Sequence, residues 1–149
     1  MLLSSNDQNF KRDLSLIFIL SFLSYVSDIC KNGKTLYAKC ENKLVFNVVL
    51  LFHHFIWTFA LLGFLSNNNQ LLRIYVVVLI IYLIHWKANN NQCFITQWVR
   101  KTCQLDDSHT LQYISETLFN NKVLQSRNSQ KIFLFIALIV AVLKINNFN

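Results

Sequence analysis

Four long apolar runs separated by polar segments dominate the chain, at about residues 14–29, 44–66, 71–86 and 132–145. An α-helix rises about 1.5 Å per residue, so about 20 apolar residues cross a hydrocarbon core of roughly 30 Å. The pattern therefore predicts an all-α polytopic membrane protein. We expect about four short transmembrane helices in a single membrane domain, residues 1–149.

The first apolar run is open to two interpretations. It follows the basic pair Lys11-Arg12, so it reads either as a membrane span or re-entrant helix or as the core of a signal peptide. Ser21, Ser24 and Ser27 recur every three residues, and small hydroxyl side chains on one helix face let another helix approach closely. Asp28 closes the run, and we expect it to pair with Lys31.

The last apolar run, 132–145, is short for a full crossing. At about 1.5 Å per residue it measures roughly 21 Å. Lys131 and Lys144 could extend outward and let it cross a thin bilayer. The alternative is a buried helix of a larger assembly.

Between the third and fourth runs, apolar and polar residues follow a helical rhythm. This predicts an amphipathic helix over 92–105 that lies in the membrane surface, with Asn90 or Asn91 capping its start. Its apolar face consists of Phe94, Ile95, Trp98, Val99 and Cys103. A second surface helix is predicted over 108–124.

Composition and charge agree with a membrane protein. Hydrophobic residues make up 54% of the chain and charged residues 14%, against roughly 25% charged in a soluble domain. The net charge of +7 lies in segments beside the apolar runs, so we expect contacts with anionic lipid headgroups and no nucleic-acid partner.

The distribution of basic residues predicts an orientation. With four spans, the segments 30–43 and 87–131 share one side and hold ten of the fourteen lysines and arginines. The positive-inside tendency places both segments in the cytosol or its equivalent, with both termini outside.

All four cysteines, at positions 30, 40, 93 and 103, fall on that basic side. In a reducing compartment they would be free thiols. If the orientation is inverted, two disulfides become possible, and four cysteines allow three pairings. The ten-residue gaps match no structural zinc site, so no metal ligands are predicted.

The histidines of the central hairpin are the main candidates for chemistry. Folding residues 44–66 and 71–86 antiparallel about the turn 67–70 brings His53 or His54 level with His85. Intramembrane polar residues often mark functional sites. Three interpretations remain open: a structural hydrogen-bonded layer, a cofactor site, and thiol chemistry at a nearby Cys93 activated by a histidine or by a helix start.

In the second interpretation, His53 or His54 and His85 bind haem b as axial ligands or line a quinone pocket. We also expect Trp86, Cys93 and Thr96 to form a structural cluster over the same place. The chain has only seven acidic residues, so acid–base catalysis is poorly supported and no catalytic residues are predicted.

The segment 50–103 resembles an uncharacterised family of small multi-helix membrane proteins of bacteria and large DNA viruses. The shared features begin with a span that contains His54, an aromatic residue (Trp57 or Phe59) and Gly63, followed by an apolar run that ends in His85-Trp86. An asparagine-rich turn, Cys93-Phe94-Ile95-Thr96 and a basic amphipathic helix come next. Where that family has a glutamate after the threonine, this chain has Gln97 and Trp98. The resemblance implies an architecture and no activity.

The sequence thus predicts a non-enzymatic structural or accessory component of a membrane or membrane-bound complex, in contact with the lipid bilayer and with other membrane-protein subunits. The alternative is a redox-type membrane anchor that holds haem or quinone through the span histidines.

Overall fold

The computed structural model describes residues 5–104 and 127–147, and in these two ranges it contains helices and no strand. The prediction of an all-α protein is confirmed. The helices are α1 (Ser5–Lys39), α2 (Lys43–Leu62), a short 3-10 helix (Gly63–Leu65), α3 (Asn69–Ala88), α4 (Phe94–Thr102) and α5 (Arg127–Asn147).

Four of these helices are long and apolar enough to cross a membrane. The candidate spans are Asp7–Lys31, Lys43–Leu65, Asn69–Ala88 and Asn128–Asn147. Large apolar side chains remain exposed along all four, as expected when hydrocarbon rather than water surrounds the helices. The architecture is that of a multi-pass membrane protein.

The four long helices form two closely packed pairs. The most extensive contacts join α1 to α2 and α3 to α5, while α2 and α3, the neighbours in sequence, share fewer. Asp13 of α1 and Lys144 of α5 both contact residues between α2 and α3, so the start of α1 and the end of α5 lie beside that turn. We call this the turn end, defined by Asp13, residues 63–69 and Lys144.

Two helices are longer than the apolar runs alone predict. Helix α1 continues ten residues beyond the predicted end at Ile29, so most of the expected basic loop 30–43 is helical. Residues 30–39 contain no proline and one glycine, so nothing in them breaks a helix. Helix α5 has 21 residues because polar residues on both sides of the apolar run are helical too, which gives it the length of a full span.

At the turn end, one asparagine and one serine side chain shape the connection between α2 and α3. Asn68 caps α3 by accepting a hydrogen bond from the backbone N–H of Leu71 (2.9 Å). Ser66 accepts from the N–H of Asn68 (3.0 Å) and donates to the Asp13 carboxylate (2.7 Å). The turn is thereby tied to α1.

Gly63 permits close packing in this region. A Cβ at this position would overlap the ring of Tyr75, whose hydroxyl donates to the backbone carbonyl of Ala60 (2.8 Å). Phe59 meets the same ring edge-on, with 5.6 Å between centroids. A glycine is therefore required here by the approach of an aromatic ring.

Helix α4 confirms the predicted amphipathic helix, with its bounds at Phe94 and Thr102. Part of its apolar face packs on protein: Val99 and the following Cys103 are fully buried in a small core with Phe46 and Leu50 of α2, whereas Phe94 is exposed. Cys103 forms a disulfide with Cys40, which follows α1. The predicted second surface helix, 108–124, lies outside the described residues.

The start of α4 differs from the prediction. Asn90 and Asn91 do not cap it; both have positive φ angles, 51° and 59°, and form the turn after α3. Asparagine tolerates this left-handed conformation better than most residues. The residue that precedes the helix as its N-cap is Cys93, whose side chain makes no capping hydrogen bond.

Candidate functional site

A buried polar network joins α1 to α2 opposite the turn end. His54 Nε2 lies 3.2 Å from Asp28 Oδ2, and His54 Nδ1 lies 2.8 Å from Ser24 Oγ. The side chains of Asp28 and His54 are both fully buried. In the tautomer with its hydrogen on Nε2, His54 donates to Asp28 Oδ2 and accepts from the Ser24 hydroxyl at Nδ1, so both ring nitrogens are used.

The sequence of groups Asp28, His54 and Ser24 contains the three residue types of a hydrolase triad. In such triads the aspartate contacts Nδ1 and the serine contacts Nε2. Here the two nitrogens are exchanged, and Ser24 is 2% exposed. A substrate has no access to a hydroxyl held between two helices. The network is therefore a helix–helix contact, and the serine is no candidate nucleophile.

Asp28 is the residue that sequence reasoning missed. We expected it to pair with Lys31 at the membrane surface; instead it faces the bundle interior and contacts His54, whereas Lys31 is exposed. The available signal was the spacing of Ser21, Ser24 and Asp28, which puts all three on one helix face. All three are buried, while Ser27 is half-buried.

Next to this network, His53 contacts a thiol. Its Nε2 lies 3.3 Å from Cys93 Sγ, across the junction between α2 and the segment that precedes α4. The ring of His53 is 1% exposed, whereas Cys93 is half-buried and has a free thiol. Adjacent histidines on one helix therefore face different partners, a carboxylate for His54 and a thiol for His53. We call His53 and Cys93 the thiol pair.

His85 meets the same segment from α3. Its Nε2 accepts a hydrogen bond from the backbone N–H of Phe94 (3.2 Å), one residue after the cysteine of the thiol pair. Amide contacts hold the turn in between: Asn89 donates to Gln97 Oε1 (3.1 Å), and Gln97 donates to Gln92 Oε1 (2.7 Å). The start of α4 is therefore anchored to the end of α3 by side chains as well as by the chain itself.

An aromatic cluster lies between α2 and α3 at this level. Trp86 packs on Tyr82 and Trp57, with ring centroids 5.4 and 6.3 Å apart. Trp86 is 7% exposed, and its indole N–H is buried without a hydrogen-bond partner among the residues that the structure describes. Trp86, which the sequence grouped with Cys93 and Thr96, thus belongs to the aromatic packing of the hairpin.

His53 and His85, predicted to lie at one level of the hairpin, each contact the segment at the start of α4. His53 contacts Cys93 and His85 contacts Phe94, so both approach the same two residues. His54 points to α1. Thr96, grouped with Trp86 and Cys93 by the sequence, lies half-buried in the first turn of α4. We use the name site end for the part of the bundle that contains the thiol pair, His85, Asp28, His54 and the Cys40–Cys103 disulfide.

In the described ranges, no three His, Cys, Asp or Glu side chains are grouped as metal ligands. Cys40 and Cys103 are joined, and Cys30 is an exposed free thiol on α1. The structure thus has one disulfide and leaves Cys30 and Cys93 as free thiols, which is neither the four free thiols nor the two disulfides that the sequence suggested.

Comparisons with models of known families, with curated proteins and with solved structures found no match to this chain. Function is therefore argued from the geometry.

Proposed function

We propose that the protein is a non-enzymatic structural or accessory component of a membrane or membrane-bound complex. The observation that carries this proposal is the use of both ring nitrogens of His54 within the protein, by Asp28 and Ser24. A histidine with two protein partners has no position open to a ligand unless one of these bonds breaks.

The Asp28–His54 contact explains why such costly residues lie within a span. The hydrophobic effect does not drive helices together within hydrocarbon, so polar contacts and close packing between small residues stabilise their association. The described network joins α1 and α2 in one register, and Tyr25 adds a hydrogen bond from its hydroxyl to Asn47 Oδ1 (2.9 Å). The protein is then a rigid helical unit with a large apolar outer surface for lipid and for other subunits.

The alternative, a redox-type anchor with haem b or quinone, requires that His53, His54 or His85 exchange a protein contact for the cofactor. Absorbance of the detergent-purified protein, followed by quinone extraction, tests this directly. We expect no Soret band and no bound quinone. We also expect His54→Ala to lower the unfolding temperature more than His85→Ala, because His54 is fully buried beside a carboxylate.

A Soret band that disappears in His85→Ala, or a stoichiometric quinone lost in the same variant, would replace the structural proposal with the redox one. Equal unfolding temperatures for the wild type and His54→Ala would remove its physical basis. The His85→Ala variant serves as the matched control, since both substitutions delete an imidazole at the same end of the bundle.

The orientation in the membrane depends on two signals that oppose each other. Basic residues favour the cytosol for the site end, since ten of the fourteen belong to the sequence segments 30–43 and 87–131 on that side of the predicted topology. A disulfide favours an oxidising compartment, because cytosolic thiols are kept reduced. We give the disulfide more weight, since the charge rule is a statistical tendency, and place the site end outside the cytosol.

Sealed vesicles of known sidedness test this orientation. An impermeant phosphine followed by an impermeant maleimide reaches Cys40 and Cys103 only from the face on which they lie. Labelling from the non-cytosolic face is the expected result. Labelling from the cytosolic face, with the disulfide absent before reduction, would restore the orientation that the charges predict.

A further inference from the structure

A groove with one polar end opens between α1 and the end of α2, beside the turn end. Its volume is about 200 Å³, and Asp13 and Ser66 line its polar end. The rest of its lining is apolar and comes from α1 and from the residues that precede the turn: Leu16, Ile17, Leu20, Leu62 and Leu65. An apolar cavity of about 150 Å³ holds a benzene molecule, so this groove has room for part of an acyl chain.

The groove runs from the polar boundary of the first span into its apolar part. Asp13, Leu16 and Leu20 are spaced three and four residues apart, so they share one face of α1. The apolar run begins directly after Asp13, and Leu20 lies roughly 10 Å further along the helix. Leu16 and Leu65 are 52% and 59% exposed, so the groove is open on one side. A chain that enters it from the bilayer lies along α1 with its polar end at the level of Asp13.

An oriented guanidinium group lies beside the polar end of the groove. Arg12 donates to Asp13 Oδ1 from Nε (3.0 Å) and from Nη2 (2.9 Å). These bonds use one edge of the guanidinium group, and the side chain is 60% exposed, so the edge formed by Nη1 and Nη2 is open to a ligand. Such an edge matches two oxygens of a phosphate group with two parallel hydrogen bonds.

The polar end of the groove favours an anionic headgroup over a cationic one. Asp13 also accepts from the Ser66 hydroxyl and from the backbone N–H of Asn67, so both of its carboxylate oxygens are occupied. Lys144 adds a positive charge beside Ser66, whose carbonyl it contacts at 2.6 Å. Arg12 and Lys144 together therefore outweigh the single negative charge of Asp13.

From these contacts we propose that the groove binds one acyl chain of an anionic phospholipid, whose phosphate group accepts hydrogen bonds from Arg12. This site goes beyond the proposed structural function and does not depend on it. With the site end outside the cytosol, the turn end lies in the cytosolic leaflet, which carries the anionic lipids of many membranes. A zwitterionic lipid has the same phosphate, but its cationic group is repelled by Arg12 and Lys144, so we expect it to bind less tightly.

Lipid titration of the full-length protein tests the headgroup contact. The protein in a nonionic detergent is titrated with dioleoyl phosphatidylglycerol or dioleoyl phosphatidylcholine, and native mass spectrometry counts the bound lipids. We expect one tightly bound phosphatidylglycerol per chain and weaker binding of phosphatidylcholine. Arg12→Gln should weaken phosphatidylglycerol binding at least about tenfold, because it removes charge-assisted hydrogen bonds. Inorganic phosphate should not displace the lipid, since it lacks the chain.

Lys11→Gln is the matched control for the charge. It removes the same charge one position earlier on α1, outside the groove, and should change the affinity less than about twofold because an exposed charge contributes little. For the chain contact, Leu20→Trp fills the groove and should abolish the preference for phosphatidylglycerol. Leu23→Trp is its control, at a leucine of the same helix that is 54% exposed and does not line the groove.

Helical circular dichroism and the Cys40–Cys103 disulfide report whether each variant is folded. If Leu20→Trp does not fold, photocrosslinking of the wild-type chain decides the matter. Phosphatidylglycerol with a diazirine in its acyl chain should label residues 16–20 and 62–65, which line the groove.

Four outcomes would overturn the proposal. They are equal affinities for the two lipids, equal losses in Arg12→Gln and Lys11→Gln, an undiminished preference in folded Leu20→Trp, and crosslinks spread evenly over the exposed apolar faces of the spans. Displacement by inorganic phosphate would also overturn it, because the ligand would then be a free anion. The haem and quinone assays concern the site end and are independent of all these outcomes.

Discussion

Ionisable side chains are held differently at the two ends of the bundle. At the turn end, Asp13 accepts from Ser66, Lys144 donates to the carbonyls of Phe64, Leu65 and Ser66, and both charged side chains remain partly exposed. At the site end, Asp28 and His54 contact each other with no exposed surface at all.

This difference in burial determines how much stability is lost when an ionisable side chain loses its partner. An exposed ionised group keeps part of its hydration, so its contacts contribute little and their loss is tolerated. A fully buried ion or strong dipole has exchanged all of its hydration for protein partners, so the loss of one partner leaves the other uncompensated. We therefore expect substitutions at the site end to cost more than matched substitutions at the turn end.

The sharpest comparison is between two aspartates of the same helix. Asp28→Ala should lower the free energy of unfolding by about 3–5 kcal/mol, because it leaves His54 buried without its acceptor. Asp13→Ala should cost about 1 kcal/mol, since it removes a hydrogen bond from Ser66 near the surface. Denaturation in mixed micelles, followed by helical circular dichroism, measures both. Similar losses for the two variants would mean that burial does not distinguish the ends.

Removal of the disulfide tests how far the site end depends on its covalent link. Cys103→Ser removes a link between residues that are 63 positions apart and should cost about 2–4 kcal/mol. Cys30→Ser, at an exposed free thiol, is the control and should change stability little. Unfolding of the two variants with and without reductant gives the result. If reductant destabilises both variants equally, the Cys40–Cys103 bond is not the source of the stabilisation.

At the turn end, packing rather than charge should dominate. Gly63→Ala places a methyl group against the ring of Tyr75 and should cost about 1–3 kcal/mol through overpacking. Leu65→Ala, at a neighbouring side chain that is 59% exposed, should have a small effect. Unfolding temperatures in detergent compare the two. A neutral Gly63→Ala would show that the ring can move aside.

The smallest effect is expected at Lys144. Lys144→Met removes hydrogen bonds to three carbonyls near the end of α2 and should cost about 1 kcal/mol. The exposed Arg73 of α3 is the control, through Arg73→Met. The same unfolding assay applies. A loss from Lys144→Met as large as that from Asp28→Ala would erase the distinction between the ends.

Much of the architecture could be predicted from the sequence, because hydropathy is a local property. Four apolar runs were enough to place four spans, and the spacing of Phe94, Ile95 and Trp98 was enough to predict an amphipathic α4. Helix ends were less accurate: α1 continues to Lys39 because polar residues without a breaker remain helical beyond the apolar stretch.

The candidate site was predicted only in outline. Antiparallel counting placed His53 and His85 in one layer, since the rise per residue of both helices is the same. It could not show that His54 turns towards α1, because that depends on the rotation of α2 against a helix distant in sequence. Nor could spacing identify the partner of Cys40, which the packing of α4 on α2 brings to Cys103.

By itself, the sequence of this protein determined its four candidate membrane spans, because the free energy of placing a segment in hydrocarbon is summed residue by residue along the chain. Only the tertiary structure decided which polar groups share a partner: Asp28 with His54, and His53 with Cys93. Those contacts depend on how whole helices rotate and slide against each other, and a periodicity that is read within one helix contains no information about the next.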